Sequence, residues 1–169
     1  MLTEPSLGLI PPKAEFEELM GRLGVSNDTT VVVYDDEGGP WMARMWWALH
    51  YYGHDDVKLL NGGLRNWTRE GLPLEEGENV PSPGFFTAET RPELLATLDD
   101  VQQAIVDTDS VLIDALPAED YASGHIPSAV NVPAPNNLDP TTHRLLPADE
   151  LAQLWQDVDL QSEQRAITY

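Results

Sequence analysis

TTVVVYDDEGGPWMARMWWALHYYGHDDVKLL, residues 29–60, decides the fold class. TTVVVY is a β-branched run of the kind that forms a buried strand. DDEGGP is a short, acidic, glycine-rich turn. WMARMWWALHYYG then predicts a helix, with Met42, Met45, Trp46 and Leu49 on one apolar face and Gly53 at its end. VKLL follows as a second short strand. Strand, helix and strand in this order are the grammar of an open α/β fold with a parallel sheet.

The same reading extends in both directions. Upstream, PPKAEFEELMGRL (11–23) predicts a helix with prolines at its start, Phe16, Leu19, Met20 and Leu23 on one face, and Gly24 beyond it. Downstream, NGGLRNWTREG predicts a turn and a short helix, and the first unit closes at residue 75. Residues 76–92, EGENVPSPGFFTAETRP, have no period and are rich in Pro, Gly and Glu, so they read as a linker.

A second unit occupies 93–169. LATLDDVQQAIVD predicts a helix with Leu94, Leu98, Val101 and Ile105 facing inward, and VLIDA a buried strand. AEDYASGHIPSAVNVP reads as a loop ending in a short strand at 129–132. Residues 134–146 form a Pro/Asn-rich loop, PADELAQLWQ a helix, and RAITY one more strand. TTVVVY (29–34) and QRAITY (164–169) echo each other: each follows a helix and a polar turn and ends in Tyr. The echo suggests a duplicated domain, seen as the back of one copy and the front of the next. Complementary halves of that kind predict one composite body in which the central strand is present twice.

Composition narrows the function classes. The net charge of -20, with Lys13 and Lys58 the only lysines, excludes affinity for nucleic-acid phosphates and anionic membranes. It fits either adaptation to high salt or ordinary acidic solubility. No apolar run approaches a membrane span, and MLTEPSLGLI carries no basic n-region, so a cytoplasmic location is expected. The sequence has no cysteine, which removes disulfides and thiolate chemistry from these 169 residues.

Four segments in order, VSNDTTVVVYDDEGG with ARMWWALHYYGH, LNGGLRNWTREGLPLE, VLIDALPAEDYASGHIPSAVNVP, and LLPADELAQLW leading into AITY, together resemble the two-domain rhodanese family, the thiosulfate and 3-mercaptopyruvate sulfurtransferases. The resemblance implies a rhodanese-like parallel sheet flanked by helices, in parts of two tandem domains truncated at both ends. It implies transfer of a sulfane sulfur from a small sulfur-containing anion, through a cysteine persulfide, to a thiophilic acceptor such as cyanide, without a cofactor. By the same resemblance the nucleophilic cysteine would follow Tyr169, so these residues alone are expected to be inactive. Asp35 stands at the first domain's counterpart of the nucleophile, and Leu116 where active members often carry an arginine for the anionic donor. A non-catalytic binding module and a structural remnant stay open beside the enzyme.

Other residues have two readings each. Asp35 at a helix start can accept backbone N–H bonds as a cap. Asp114 ends a strand, where α/β folds place site residues, and can support the active loop or cap a turn. His125 in GHIP invites acid–base chemistry but reads more simply as part of the entry to the next strand. His50 and His54 have a metal-compatible spacing, yet Gly53 interrupts the helix and no third ligand is evident, so no metal is expected.

Overall fold

The computed structural model describes residues 10–36 and 39–169. The opening stretch read for targeting signals, apart from Ile10, and Glu37-Gly38 of the acidic turn lie outside these. The chain resolves into two compact units, residues 1–95 and 96–169.

In the first unit, helix α1 (Lys13–Arg22) is followed by strand β1 (Val31–Val33), helix α2 (Pro40–Tyr51), strand β2 (Val57–Leu59) and helix α3 (Gly63–Arg69). β1 and β2 pair in parallel, Val31 opposite Val57 and Val33 opposite Leu59, so the strand–helix–strand reading holds. The core gathers Phe16 and Met20 of α1, Val25, Ala48, Leu49 and Tyr52, and Val57 of β2. Phe16 stacks on Tyr52 with ring centres 4.4 Å apart. Trp46 and Leu23, expected on inward faces, are 39% and 51% exposed. The buried face of α2 runs instead through Met42, Ala48, Leu49 and on to Tyr52, and Trp46 lies against the His50 ring at 4.2 Å.

Residues 84–91, within the stretch read as a linker, form an extended strap on this unit. Phe86 and Ala88 are buried in its core while Phe85 is 81% exposed, an alternation of period two. The strap is held by paired bonds between Asn27 and Thr87, at 2.8 and 2.9 Å, and by Ala88 N–H donating to Glu17 Oε1 at 2.8 Å. It ends where Arg91 donates to both carboxylate oxygens of Asp55, at 2.6 and 2.8 Å. Gly53 makes the close approach possible: its φ is +84°, and a Cβ there would lie 2.8 Å from the Glu89 carbonyl oxygen.

The second unit runs through helix α4 (Leu98–Ala104), strand β3 (Ser110–Asp114), helix α5 (Ala118–Ser123), strand β4 (Val130–Asn131), helix α6 (Ala148–Gln156) and strand β5 (Arg165–Thr168). Its sheet is parallel, ordered β4-β3-β5, with Leu112 opposite Ile167 and Ile113 opposite Val130. Ala104, Leu112, Ala129 and Ile167 make its core. Leu98, expected inward, is 73% exposed. The reason is local: Thr97 and Asp100 form a reciprocal capping box, which fixes the start of α4 and turns Leu98, its first residue, to solvent. AEDYAS, read as loop, is the helix α5. β1 and β5 lie in separate sheets, one in each unit.

Candidate functional site

Both units offer the same kind of place, the carboxyl end of a parallel strand, where open α/β sheets bind ligands. In the first unit β1 runs into Asp35, and the Asp35 carboxylate turns back on α2. It accepts the Gly39 N–H with both oxygens at 3.0 Å and the Met42 N–H with Oδ2 at 3.2 Å. These are amide groups at the helix start, which otherwise lack intrahelical partners and attract anions. The cradle's positive end is therefore met by the chain's own carboxylate. The Asp35 and Asp36 carbonyls accept the Leu64 and Arg65 N–H groups, at 2.8 and 2.9 Å, tying the loop to α3.

In the second unit the residues meet around Asp114, at the end of β3. Asp114 is 1% exposed. Its Oδ1 accepts the Leu116 N–H at 2.8 Å, closing a tight turn. Its carbonyl accepts the Val132 N–H at 2.9 Å and Asn131 Nδ2 at 3.1 Å, and Asn131 Nδ2 also donates to the Leu116 carbonyl at 2.9 Å. Oδ2 is buried and, among the described residues, makes no hydrogen bond of ordinary geometry. An unpaired buried carboxylate oxygen is costly and calls for a donor.

Tyr169 borders this cluster. It continues the β3–β5 ladder, its N–H donating to the Ile113 carbonyl and its carbonyl accepting the Ala115 N–H, both at 3.1 Å. Its hydroxyl accepts the Ile126 N–H at 3.0 Å. Burial raises the Tyr169 phenol above its ordinary pKa, the Ile126 bond works against that rise, and the charges of Asp114 and Tyr121 add to it. The strand-end tyrosine was legible only as a repeat of Tyr34; its contacts were not.

The remaining candidates separate. Leu116 joins the cluster through its backbone, and its side chain is 48% exposed. His125 is exposed and stacks on Tyr121, ring centres 3.7 Å apart at 12°. Its Nδ1 lies 2.9 Å from the Tyr121 carbonyl, so the tautomer with Nδ1–H fits, and the ring braces the turn into β4. His50 Nδ1 lies 3.0 Å from Asp55 Oδ1, whereas His54 is buried beneath Phe86 with Nε2 unpaired among the described residues. No group of three metal-ligating side chains occurs among the described residues. A cleft of about 610 Å³ lined by Trp155, Leu160, Gln164 and Ala166 lies toward the opposite, amino end of β5 and includes none of the candidates.

Parallel sheets flanked by helices, with the end of β1 meeting a helix-start cradle, define an α/β class. The Rhodanese-like domain pattern matches residues 1–70 and 97–169, and the chain belongs to the rhodanese family. It is 37% identical over 165 residues to the thiosulfate sulfurtransferase of Gallus gallus, covering 90% of this chain and 57% of that protein. It is 35% identical over 144 residues to the 3-mercaptopyruvate sulfurtransferase of Homo sapiens, covering 78% and 48%. The crystal structure of SseA from Escherichia coli, a 3-mercaptopyruvate sulfotransferase with the rhodanese fold, superposes with a TM-score of 0.89 at 32% identity, covering 99% of this chain and 67% of that one. The chain thus spans a little over half the length of the first of these relatives.

Proposed function

We propose that the chain is part of a sulfurtransferase built from two rhodanese-like domains, comprising the back of the first and the front of the second. In this reading the carboxyl end of β5 presents the sulfur-carrying nucleophile. The observation that supports it best is the Asp114 cluster: a buried carboxylate with one oxygen unpaired, at the end of a parallel strand, beside the point where β5 ends. That is the arrangement expected beneath a loop whose backbone N–H groups must be held in place. The relatives are named for transfer from thiosulfate or 3-mercaptopyruvate, and the proposal takes the donor class from them.

A cysteine thiolate attacks the transferable sulfur of the donor; with 3-mercaptopyruvate the C–S bond breaks, and the electron pair leaves on carbon as the enolate of pyruvate, which takes up a proton. With thiosulfate, the S–S bond breaks and sulfite leaves with the electron pair. The persulfide's outer sulfur is then taken by a nucleophile such as cyanide, giving thiocyanate and returning the thiolate. The 169 residues contain no cysteine, so the nucleophile belongs to a segment following Tyr169 in the proposed protein. Asp35 takes no part in this chemistry: its carboxylate fills the corresponding cradle of the first unit and cannot accept sulfur. The setting proposed is cytoplasmic; no helix among the described residues is long and apolar enough to cross a membrane.

One observation favours a second reading, a rhodanese-like module that binds without catalysis. Residues 96–169 contain only two cationic Lys/Arg side chains, Arg144 and Arg165, and the second pairs with Asp100 at 3.3 Å. Leucine at 116 adds no charge for an anionic donor.

Thiocyanate formation from thiosulfate and cyanide tests the proposal. The 169-residue chain should give none above buffer. The chain extended after Tyr169 by the corresponding cysteine-bearing segment of SseA should turn over. Activity of the unextended chain, or none from a folded extended chain with either thiosulfate or 3-mercaptopyruvate, contradicts the sulfurtransferase reading.

A further inference from the structure

The unpaired oxygen of Asp114 raises the question of what supplies its donor. Asp114 is 99% enclosed, yet only Oδ1 is satisfied, by the Leu116 N–H at 2.8 Å. The β3–β5 ladder continues past Ile113 and Thr168, so Asp114 stands opposite Tyr169, and its carboxylate acts on the Tyr169 phenol, though not in ordinary hydrogen-bond geometry. The phenol oxygen already accepts the Ile126 N–H at 3.0 Å, so its own proton is free to be donated. The backbone of Tyr169 is fixed on both sides by the Ile113 carbonyl and the Ala115 N–H. Ile126 in turn belongs to the His125-braced turn between α5 and β4.

We propose that Tyr169 is a positioning residue: its hydroxyl relays from the Ile126 N–H to the Asp114 carboxylate and so pins the carboxyl end of β5 against the 124–127 turn. The relay joins three segments that sequence separates, the end of β3, the turn before β4 and the end of β5. It gives the buried carboxylate a proton donor without placing a cation there, which suits a unit with so few of them. It also explains why the phenol is held in its neutral, donating form: burial, Asp114 and Tyr121 all oppose its ionisation. Tyr34, at the end of β1, is 58% exposed, so a tyrosine at a strand end does not by itself create the contact.

The inference deepens the sulfurtransferase reading, since the strand end so fixed is the one from which the nucleophile segment would depart, but its test stands apart. Alkaline titration of tyrosinate absorbance, with the Tyr169→Phe chain subtracted, isolates the Tyr169 phenol in the 169-residue protein. The expected result is ionisation above the ordinary tyrosine range, moved to lower pH by Asp114→Asn, which keeps the shape and removes the charge. Hydrogen exchange at the Ile126 amide should quicken about tenfold in Tyr169→Phe, the equivalent of one lost hydrogen bond. A phenol that titrates in the ordinary range and ignores Asp114→Asn overturns the relay, as does an unchanged Ile126 amide. Should Tyr169→Phe not fold, the titration of all tyrosines in the parent and Asp114→Asn chains decides alone, by the presence or absence of a high-pH component lost in the variant. In the SseA-extended chain, Tyr169→Phe should lower kcat about tenfold while KM holds. An inactive extended chain with the titration and exchange results as expected removes the sulfurtransferase reading and leaves the relay standing.

Discussion

β1 and β5 echo each other in sequence, each leading into a tyrosine, and their ends are finished differently. β1 pairs with β2, the next strand in the chain, and β5 with β3, the first strand of its own unit. Beyond β1, Asp35 folds its carboxylate onto the start of α2, and the preceding Tyr34 is exposed. Beside β5 the buried Asp114 carboxylate has one oxygen without an ordinary hydrogen bond, and Tyr169 borders the cluster. At one strand end a carboxylate caps the start of a helix; at the other a buried carboxylate and a phenol stand opposite one another in the ladder. The helix-start cradle after β1 is closed by a single side chain, the Asp35 carboxylate.

The largest effect should come from opening the closed end. Asp35→Ala removes hydrogen bonds from a charged acceptor to the start of α2 and should destabilise the first unit by about 2 kcal/mol. Four of the five tryptophans, Trp41, Trp46, Trp47 and Trp67, lie in residues 1–95, so urea unfolding followed by fluorescence reports on this unit. Unchanged stability would mean that the carboxylate does not hold the loop, and the contrast with β5 would lose its basis.

A second effect separates the units by charge. Residues 96–169 hold 13 of the 29 acidic residues and only two of the nine Lys/Arg. Molar KCl shortens the screening length to about 3 Å and relieves that repulsion. If the acidic surface is a salt adaptation, melting should rise by several degrees from low to molar KCl. The amides of residues 96–169 should gain more exchange protection than those of 1–95. A flat melting temperature would point to plain acidic solubility.

The smallest effect lies in the strap, which has no counterpart in the second unit. Arg91, together with His50, holds Asp55 at a pKa of about 2, below the ordinary 3.8. A carboxyl with a depressed folded pKa contributes stability above its unfolded value and loses it as pH falls toward the folded one. Arg91→Ala should therefore melt below the parent at neutral pH, and the gap should close between about pH 4 and pH 2. The pair is exposed, so the gap is small. A gap as large at pH 2 as at neutral pH would assign Arg91's contribution to packing.

The sequence revealed most where side-chain period and backbone chemistry agree. The β-branched run of β1, the glycine after α2 and the proline before α6 placed their elements, and the parallel order followed. It misled where a short polar stretch forms structure. AEDYAS carries no apolar face, so α5 passed for loop. Pro, Gly and Glu around residues 76–92 hid the alternation of Phe86 and Ala88, the signal that marks the strap. Leu98 matched a helical face but falls in the capped first turn. At the site, Asp35 was legible because a carboxylate before a helix has one simple use. The Ile126–Tyr169 bond spans 43 residues, and no local pattern encodes it.

The contrast between the two strand ends is tested most directly by asking which can carry sulfur. In the SseA-extended chain the added cysteine lies beyond β5; in the 169-residue chain, Asp35→Cys places the sole cysteine beyond β1. Both are treated with thiosulfate and with 3-mercaptopyruvate, and intact mass is measured. Addition of one sulfur atom to the extended chain, reversed by cyanide, with none on Asp35→Cys, is the predicted result. Equal sulfur loading at the two positions, or loading at position 35 alone, would contradict the assignment of the β5 end as the sulfur-carrying site.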